Sequence, residues 1–129
     1  MIQVVWEFIV RESAVRKFMR AYGPGGAWDR LFRGYPGFLG TALQRDADNP
    51  RRFVTIDSWE TGAQRSRMMS QAREEYVDLD ELLDDLTEDQ DEIGTFSIVG
   101  RAPLYPVPAA AGKREDRSGA DRRSRRTRR

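Results

Sequence analysis

Thr55, Asp57 and Trp59 occupy alternate positions of the run RRFVTIDSWE, so in an extended strand a hydroxyl, a carboxylate and an indole project from one face. Side by side, these groups suit proton chemistry on a flat organic molecule. A carboxylate works as a general base once desolvation raises its pKa, and an indole offers a ring for stacking and an N–H to donate. The plainer alternatives are a solvated or arginine-paired Asp57 and a Trp59 that only packs. A second group lies upstream, where Tyr22, Trp28, Phe32 and Tyr35 flank Gly23-Pro24-Gly25-Gly26. Aromatic residues around a glycine-rich loop suit a mobile pocket rim, although at helical spacing they also build ordinary cores. Tyr22 stands out there because its hydroxyl can donate to a phenolate, and Phe38 adds an apolar wall.

Missing residue types narrow the chemistry further. The chain has no cysteine and no histidine, which removes disulfides, thiolate nucleophiles, the commonest general base and the usual proximal haem ligand. Between Glu74 and Glu92 the sequence is crowded with Asp and Glu, some four residues apart. Without histidine, and on the polar side of an apolar stripe, these carboxylates read as a solvated face, and no metal site is expected.

The elements that must position these residues follow from periodicity. An opening strand over about Gln3 to Val10 places Val4, Trp6, Phe8 and Val10 on one face and Val5 and Ile9 on the other. Ser13 can cap a helix that buries Val15, Phe18, Met19 and Tyr22, and a short helix is expected from Ala27 to Arg33. Two strands follow, Phe38 to Leu43 and Phe53 to Trp59, joined by the turn formers Asp46-Ala47-Asp48-Asn49-Pro50. In the first of them Leu39 and Leu43 should share a face that Phe38 opposes. Met69, Ala72, Tyr76, Leu79, Leu83 and Leu86 then mark one side of a long helix or a bent pair, before a last strand from about Ile93 to Val99. This is the α+β, ferredoxin-like βαββαβ order, with helices on one face of an antiparallel sheet. Both sheet faces carry apolar residues, so a homodimer that buries the second face is expected.

At 129 residues, 39% hydrophobic and 33% charged, the chain suits one soluble domain. Its opening MIQVVWEFIV reads as a strand and not a signal peptide, and no apolar run reaches the ~20 residues of a membrane helix. A cytoplasmic protein is expected. The net charge of +1 hides a division: residues 113 to 129 hold nine Lys/Arg against three acidic residues, hence +6, and the rest holds thirteen against eighteen, hence −5. The domain is therefore placed at 1–101, and 102–129 is read as a Pro/Ala linker followed by a basic disordered tail. That tail lacks interleaved aromatics, so no specific nucleic-acid partner is expected; it keeps the chain soluble or lies on the acidic helix.

With this order in place, PGFLGTALQRD, RRFVTIDSWE and DEIGTF resemble the antibiotic biosynthesis monooxygenase family of dimeric α/β barrels, over about residues 1 to 100. The resemblance implies oxidation of a small, often polycyclic aromatic compound by molecular oxygen, with no flavin, metal or other cofactor. Trp59 matches the tryptophan that lines such pockets. Thr55 stands where quinone-forming members carry an asparagine four positions before that tryptophan. The histidine and first-strand asparagine of haem-degrading members are absent, which argues against that reaction. Together with the residues singled out above, the expected site is Trp59, Asp57 and Thr55 for catalysis, with Tyr22, Trp28, Phe32 and Phe38 for substrate. The competing reading is a non-catalytic, dimeric ligand-binding or structural module of the same fold.

Overall fold

Every strand of this chain alternates between two environments, and the pairing register shows what each faces. In the computed structural model, residues 1–109 are described. β1 (Ile2–Val10), β2 (Phe38–Arg45), β3 (Arg52–Trp59) and β4 (Thr87–Ser97) form one antiparallel sheet in the order β2-β3-β1-β4. Val4, Trp6 and Phe8 pair with Asp57, Thr55 and Phe53, so these six share the face covered by helices. α1 (Val15–Tyr22), α2 (Ala27–Arg33), α3 (Gly62–Gln71) and α4 (Arg73–Leu83) supply that cover. The expected βαββαβ order is the observed one, with each helical segment split in two.

The core is an aromatic stack between helices and sheet. Phe8, Phe18, Tyr22, Trp28, Phe32, Phe53 and Trp59 are all buried. Phe18 stacks on Tyr22 with centroids 4.2 Å apart, and Phe8 meets Tyr22 edge-on at 5.0 Å. Such contacts add to the area each ring buries, so the core locks the α1 and α2 rings in place. Thr61 accepts a 3.2 Å bond from the Gln64 N–H and so caps α3. Fully buried Ala72 marks the bend into α4.

Five expectations need correction. Ser13 lies in a short 3-10 turn and caps nothing, and Met19 is exposed while Phe18 and Tyr22 take the buried face. Phe38 does not oppose Leu43. A bulge between Phe38 and Gly40, where Gly40 adopts φ 141°, adds a residue to β2, so Phe38 and Leu43 both pack on the core and Leu39 is left exposed. β4 begins at Thr87, six residues before Ile93, because its helix-facing positions pair with β1: Thr87 with Val10, Gln90 with Phe8, Glu92 with Trp6. The acidic run is therefore not one helical face; Glu88, Asp89, Asp91 and Glu92 belong to an edge strand, where charge blocks edge-to-edge pairing.

Met1–Val99 form one compact unit, and a second begins at Gly100. Residues 100–109 contain no helix or strand. The arginine-rich tail lies outside the described residues. Among the described residues, no helix is long and apolar enough to cross a membrane.

Candidate functional site

β1 and β3 lie side by side at the centre of the sheet, and their helix-facing residues form the floor of a cavity. Trp6 and Phe8 come from β1, Thr55 and Asp57 from β3. Tyr22 of α1 and Trp28 and Phe32 of α2 wall one side, Tyr76 and Asp80 of α4 another, and Gln90 of β4 reaches in from the edge. Tyr76 and Asp80 are four residues apart and so share a helix face. The cavity volume is about 40 Å³. That is room for roughly three waters at ~10–15 Å³ each.

Asp57 is the chemically distinctive member. Burial pushes its pKa from 3.8 up to about 6, while the donor hydroxyl of Thr41 and the nearby Arg65 charge pull it back and Asp29 pushes it further up. Thr41 stands directly opposite on β2. Arg65 forms no ion pair with Asp57 among the described residues. A half-buried carboxylate in this state is mostly ionised at neutral pH yet more basic than an ordinary one, which suits a general base.

Two tyrosines and an indole complete the polar wall. Burial raises Tyr22 from 10.0 to about 12, with Asp80, Tyr76 and Asp84 adding to the rise and the Trp28 N–H opposing it. Tyr22 is thus a proton donor throughout the physiological range. Trp28 Nε1 acts on that hydroxyl electrostatically without closing a hydrogen bond of acceptable geometry, and among the described residues it is the buried side-chain polar atom left without a partner. Tyr76 is also raised by burial, and it feels both Asp80 and Asp57.

The structure brings Thr55, Asp57, Tyr22, Trp28 and Phe32 together around one cavity and leaves three expected residues, Trp59, Phe38 and Tyr35, outside it. Trp59 is 1% exposed and packs against Phe38 at 5.1 Å and Phe32 at 5.8 Å, beside the cavity and not among its lining residues. Phe38 is part of that support. Tyr35 lines a separate small crevice with Gln64 and Met68. The loop at 23–26 contributes nothing to the wall and is stitched down: Gly25 N–H donates to Asp29 Oδ2 at 2.6 Å, and Arg30 Nη1 to the Gly25 carbonyl at 2.6 Å. Trp6, Phe8, Tyr76, Asp80 and Gln90 were not among the expected site residues. The β1 alternation and the Tyr76-Asp80 spacing were visible signals, whereas Gln90 depended on where β4 begins.

This helix-covered, four-stranded antiparallel sheet is the ferredoxin-like fold of antibiotic biosynthesis monooxygenase domain proteins. Among solved structures it is similar to SnoaB, a cofactor-independent oxygenase from Streptomyces nogalater, in an Asn-to-Ala mutant form: 22% identity, TM-score 0.66, over 80% of this chain and 97% of that one. It is also similar to a candidate antibiotic biosynthesis monooxygenase from Deinococcus radiodurans, at 11% identity and TM-score 0.66, over 82% of this chain and 100% of that one. A further antibiotic biosynthesis monooxygenase matches at 20% identity and TM-score 0.56, over 78% and 100%. No protein-family model matches the chain, and no curated protein matches its sequence. At these identities the likeness is one of fold.

Proposed function

We propose that the protein is a cofactor-independent monooxygenase acting on a small, electron-rich, polyketide-like aromatic compound. The observation that carries this reading is Asp57, a carboxyl with pKa about 6 in a cavity walled by aromatic rings. The similar fold of SnoaB, described as a cofactor-independent oxygenase, supports it. Asp57 takes a proton from a phenol or its keto tautomer, leaving an anion able to reduce dioxygen. Electron transfer and recombination place a hydroperoxide on a ring carbon, and loss of water leaves a carbonyl. A CH₂ becomes C=O while one oxygen atom enters the product and the other leaves as water, so no outside reductant is needed. Tyr22, held protonated, donates to the developing oxyanion, and Thr55 adds polarity at the floor.

A polycyclic substrate is larger than the cavity as it stands. Trp6 and Tyr76 are only half-buried and are the walls that must part to admit one. The narrow cavity is also what favours the second reading, a ligand-binding or structural module of the same fold. Oxygen consumption by metal-free protein across anthrone-like and naphthol-like phenols, with product mass recorded, separates the two. Uptake with a heavier product, lost in Asp57→Asn, supports the enzyme; no uptake across the panel removes it.

The proposal includes a homodimer formed through the uncovered sheet face. Val5, Ile9, Val54 and Ile56 lie there, flanked by exposed Leu39, Ile93 and Phe96. Arg52 pairs with Glu7 and Asp46 at one end of this face, and Asp89 and Asp91 lie at its β4 edge beside Ile9 and Glu7. A face of this kind is the one a second copy covers.

A further inference from the structure

The cavity combines a ring of aromatic faces with an unbalanced charge. Its wall holds two carboxylates, Asp57 and Asp80, and no lysine or arginine. Three more acidic groups act on the wall from outside: Asp29 on Asp57, Asp84 on Tyr22 and Asp80, and Glu92 on Tyr76. Against these stand Arg65, which reaches Asp57 and Tyr76 from outside the wall, and Arg33, which pairs with Asp29 at 3.6 Å and leaves Asp57, Asp80, Asp84 and Glu92 in excess. In a partly desolvated site such an excess gives a negative potential, and the faces of Trp and Tyr add to it through their quadrupoles. The carboxylates are too dispersed to hold a metal, since no group of three potential ligands clusters among the described residues.

A second, independent feature points to a ligand. Trp28 lines this wall, is 9% exposed, and its Nε1–H has no hydrogen-bond partner. A buried donor left unpaired costs on the order of 1–3 kcal/mol. An acceptor carried by a ligand recovers that cost.

We propose that the ligand of this cavity is a cation, a ring-bearing molecule with a protonated amine that sits beside Asp80 and the Tyr76 ring while a ligand oxygen accepts from Trp28 Nε1. The proposal rests on the reading of this cavity as the ligand site and narrows its substrate to amine-bearing phenols. Such a substrate also resolves a difficulty of the proposed reaction. Forming a phenolate beside two carboxylates is unfavourable, and an ammonium on the same molecule supplies the positive charge that the wall lacks.

The test uses the full-length protein and a naphthol bearing one of three groups of similar size: dimethylaminomethyl, isobutyl or carboxymethyl. Binding is read at pH 7.5 by indole fluorescence and by the Trp28 indole N–H resonance, identified by its absence in Trp28→Phe. The dimethylaminomethyl compound should bind about tenfold tighter than the isobutyl one, a gap of about 1.4 kcal/mol. The carboxymethyl compound should bind weakest, and the Trp28 resonance should move downfield. Asp80→Asn should collapse the preference toward one, whereas Asp78→Asn, on the exposed side of α4, should retain it. Isobutyl binding as tight as the amine would overturn the cation proposal and leave the cavity reading standing. A preference that survives Asp80→Asn would overturn the placement. Failure of all three compounds to move the Trp28 resonance would overturn the proposal, and the oxygen assay with Asp57→Asn would decide separately whether the cavity reading beneath it stands.

Discussion

Thr41 stands directly across the β2–β3 pair from Asp57, and its hydroxyl faces the carboxylate as a donor. That donor favours the ionised form and opposes the burial that pushes the pKa to about 6. Thr41→Val should therefore raise the Asp57 pKa further and shift the acidic limb of the kcat/KM profile to higher pH. A profile that does not move would show that Thr41 plays no part in tuning the base.

Asp57 also sets a pH dependence of stability. In the fold its pKa is about 6 against an ordinary 3.8. Below the lower value both native and unfolded chains hold the proton. Between the two only the native chain holds it, so stability falls as pH rises, and above the upper value the loss is complete. Asp57→Asn removes the ionisable group. Its advantage over the wild type in urea unfolding should grow from near zero at pH 4 to on the order of 2 kcal/mol at pH 8. In the same variant, phenol-dependent oxygen uptake should drop by about 10²-fold or more. A variant less stable than the wild type at pH 8 would contradict the assignment of Asp57 as a carboxylate held out of water at a cost.

Trp28→Phe removes the unpaired indole N–H while keeping most of the ring volume. The free protein should lose little stability, within about 1 kcal/mol, because no hydrogen bond is broken. Affinity for an oxygen-bearing aromatic ligand should fall about tenfold in a titration, near the loss expected for one buried hydrogen bond. Large destabilisation with unchanged affinity would make Trp28 a packing residue only.

Trp59 should behave in the opposite way. Packed on Phe32 and Phe38 with almost no exposure, it supports the cavity without lining it. Trp59→Ala should cost about 3–5 kcal/mol in unfolding experiments. Trp59→Phe should lower Tm but keep ligand affinity within about threefold of the wild type, since it removes no wall contact.

The uncovered sheet face carries its own test. Val54 and Ile56 lie near its middle, and Ile56→Asp places a charge where a second copy would pack. Light scattering should give a dimer mass for the wild type and a monomer mass for the variant, because an unpaired charge in a buried interface costs several kcal/mol. A monomeric wild type at micromolar concentration would remove the dimer from the proposal.

Much of this arrangement is local and therefore legible in the residues themselves. Side-chain alternation alone puts Thr55, Asp57 and Trp59 on one face of β3, and the Gly-Pro-Gly-Gly stop and Gly34 bracket α2 at Ala27–Arg33. The order of elements likewise follows from the period of each apolar pattern. What the period could not show is where a strand departs from it. The Gly40 bulge turned Phe38 to the same side as Leu43, and β4 reached back to Thr87 through acidic residues with poor strand propensity, because pairing with β1 outweighs local preference. Only that pairing brought Gln90 to the cavity, and only the packing of α4 on α2 brought Tyr76 and Asp80 opposite Asp57. Which of two neighbours on one strand face lines a cavity and which is packed over beside it, as Asp57 and Trp59 divide those roles, depends on how deeply each side chain is covered. Depth is a property of the whole packed layer, and no single strand encodes it.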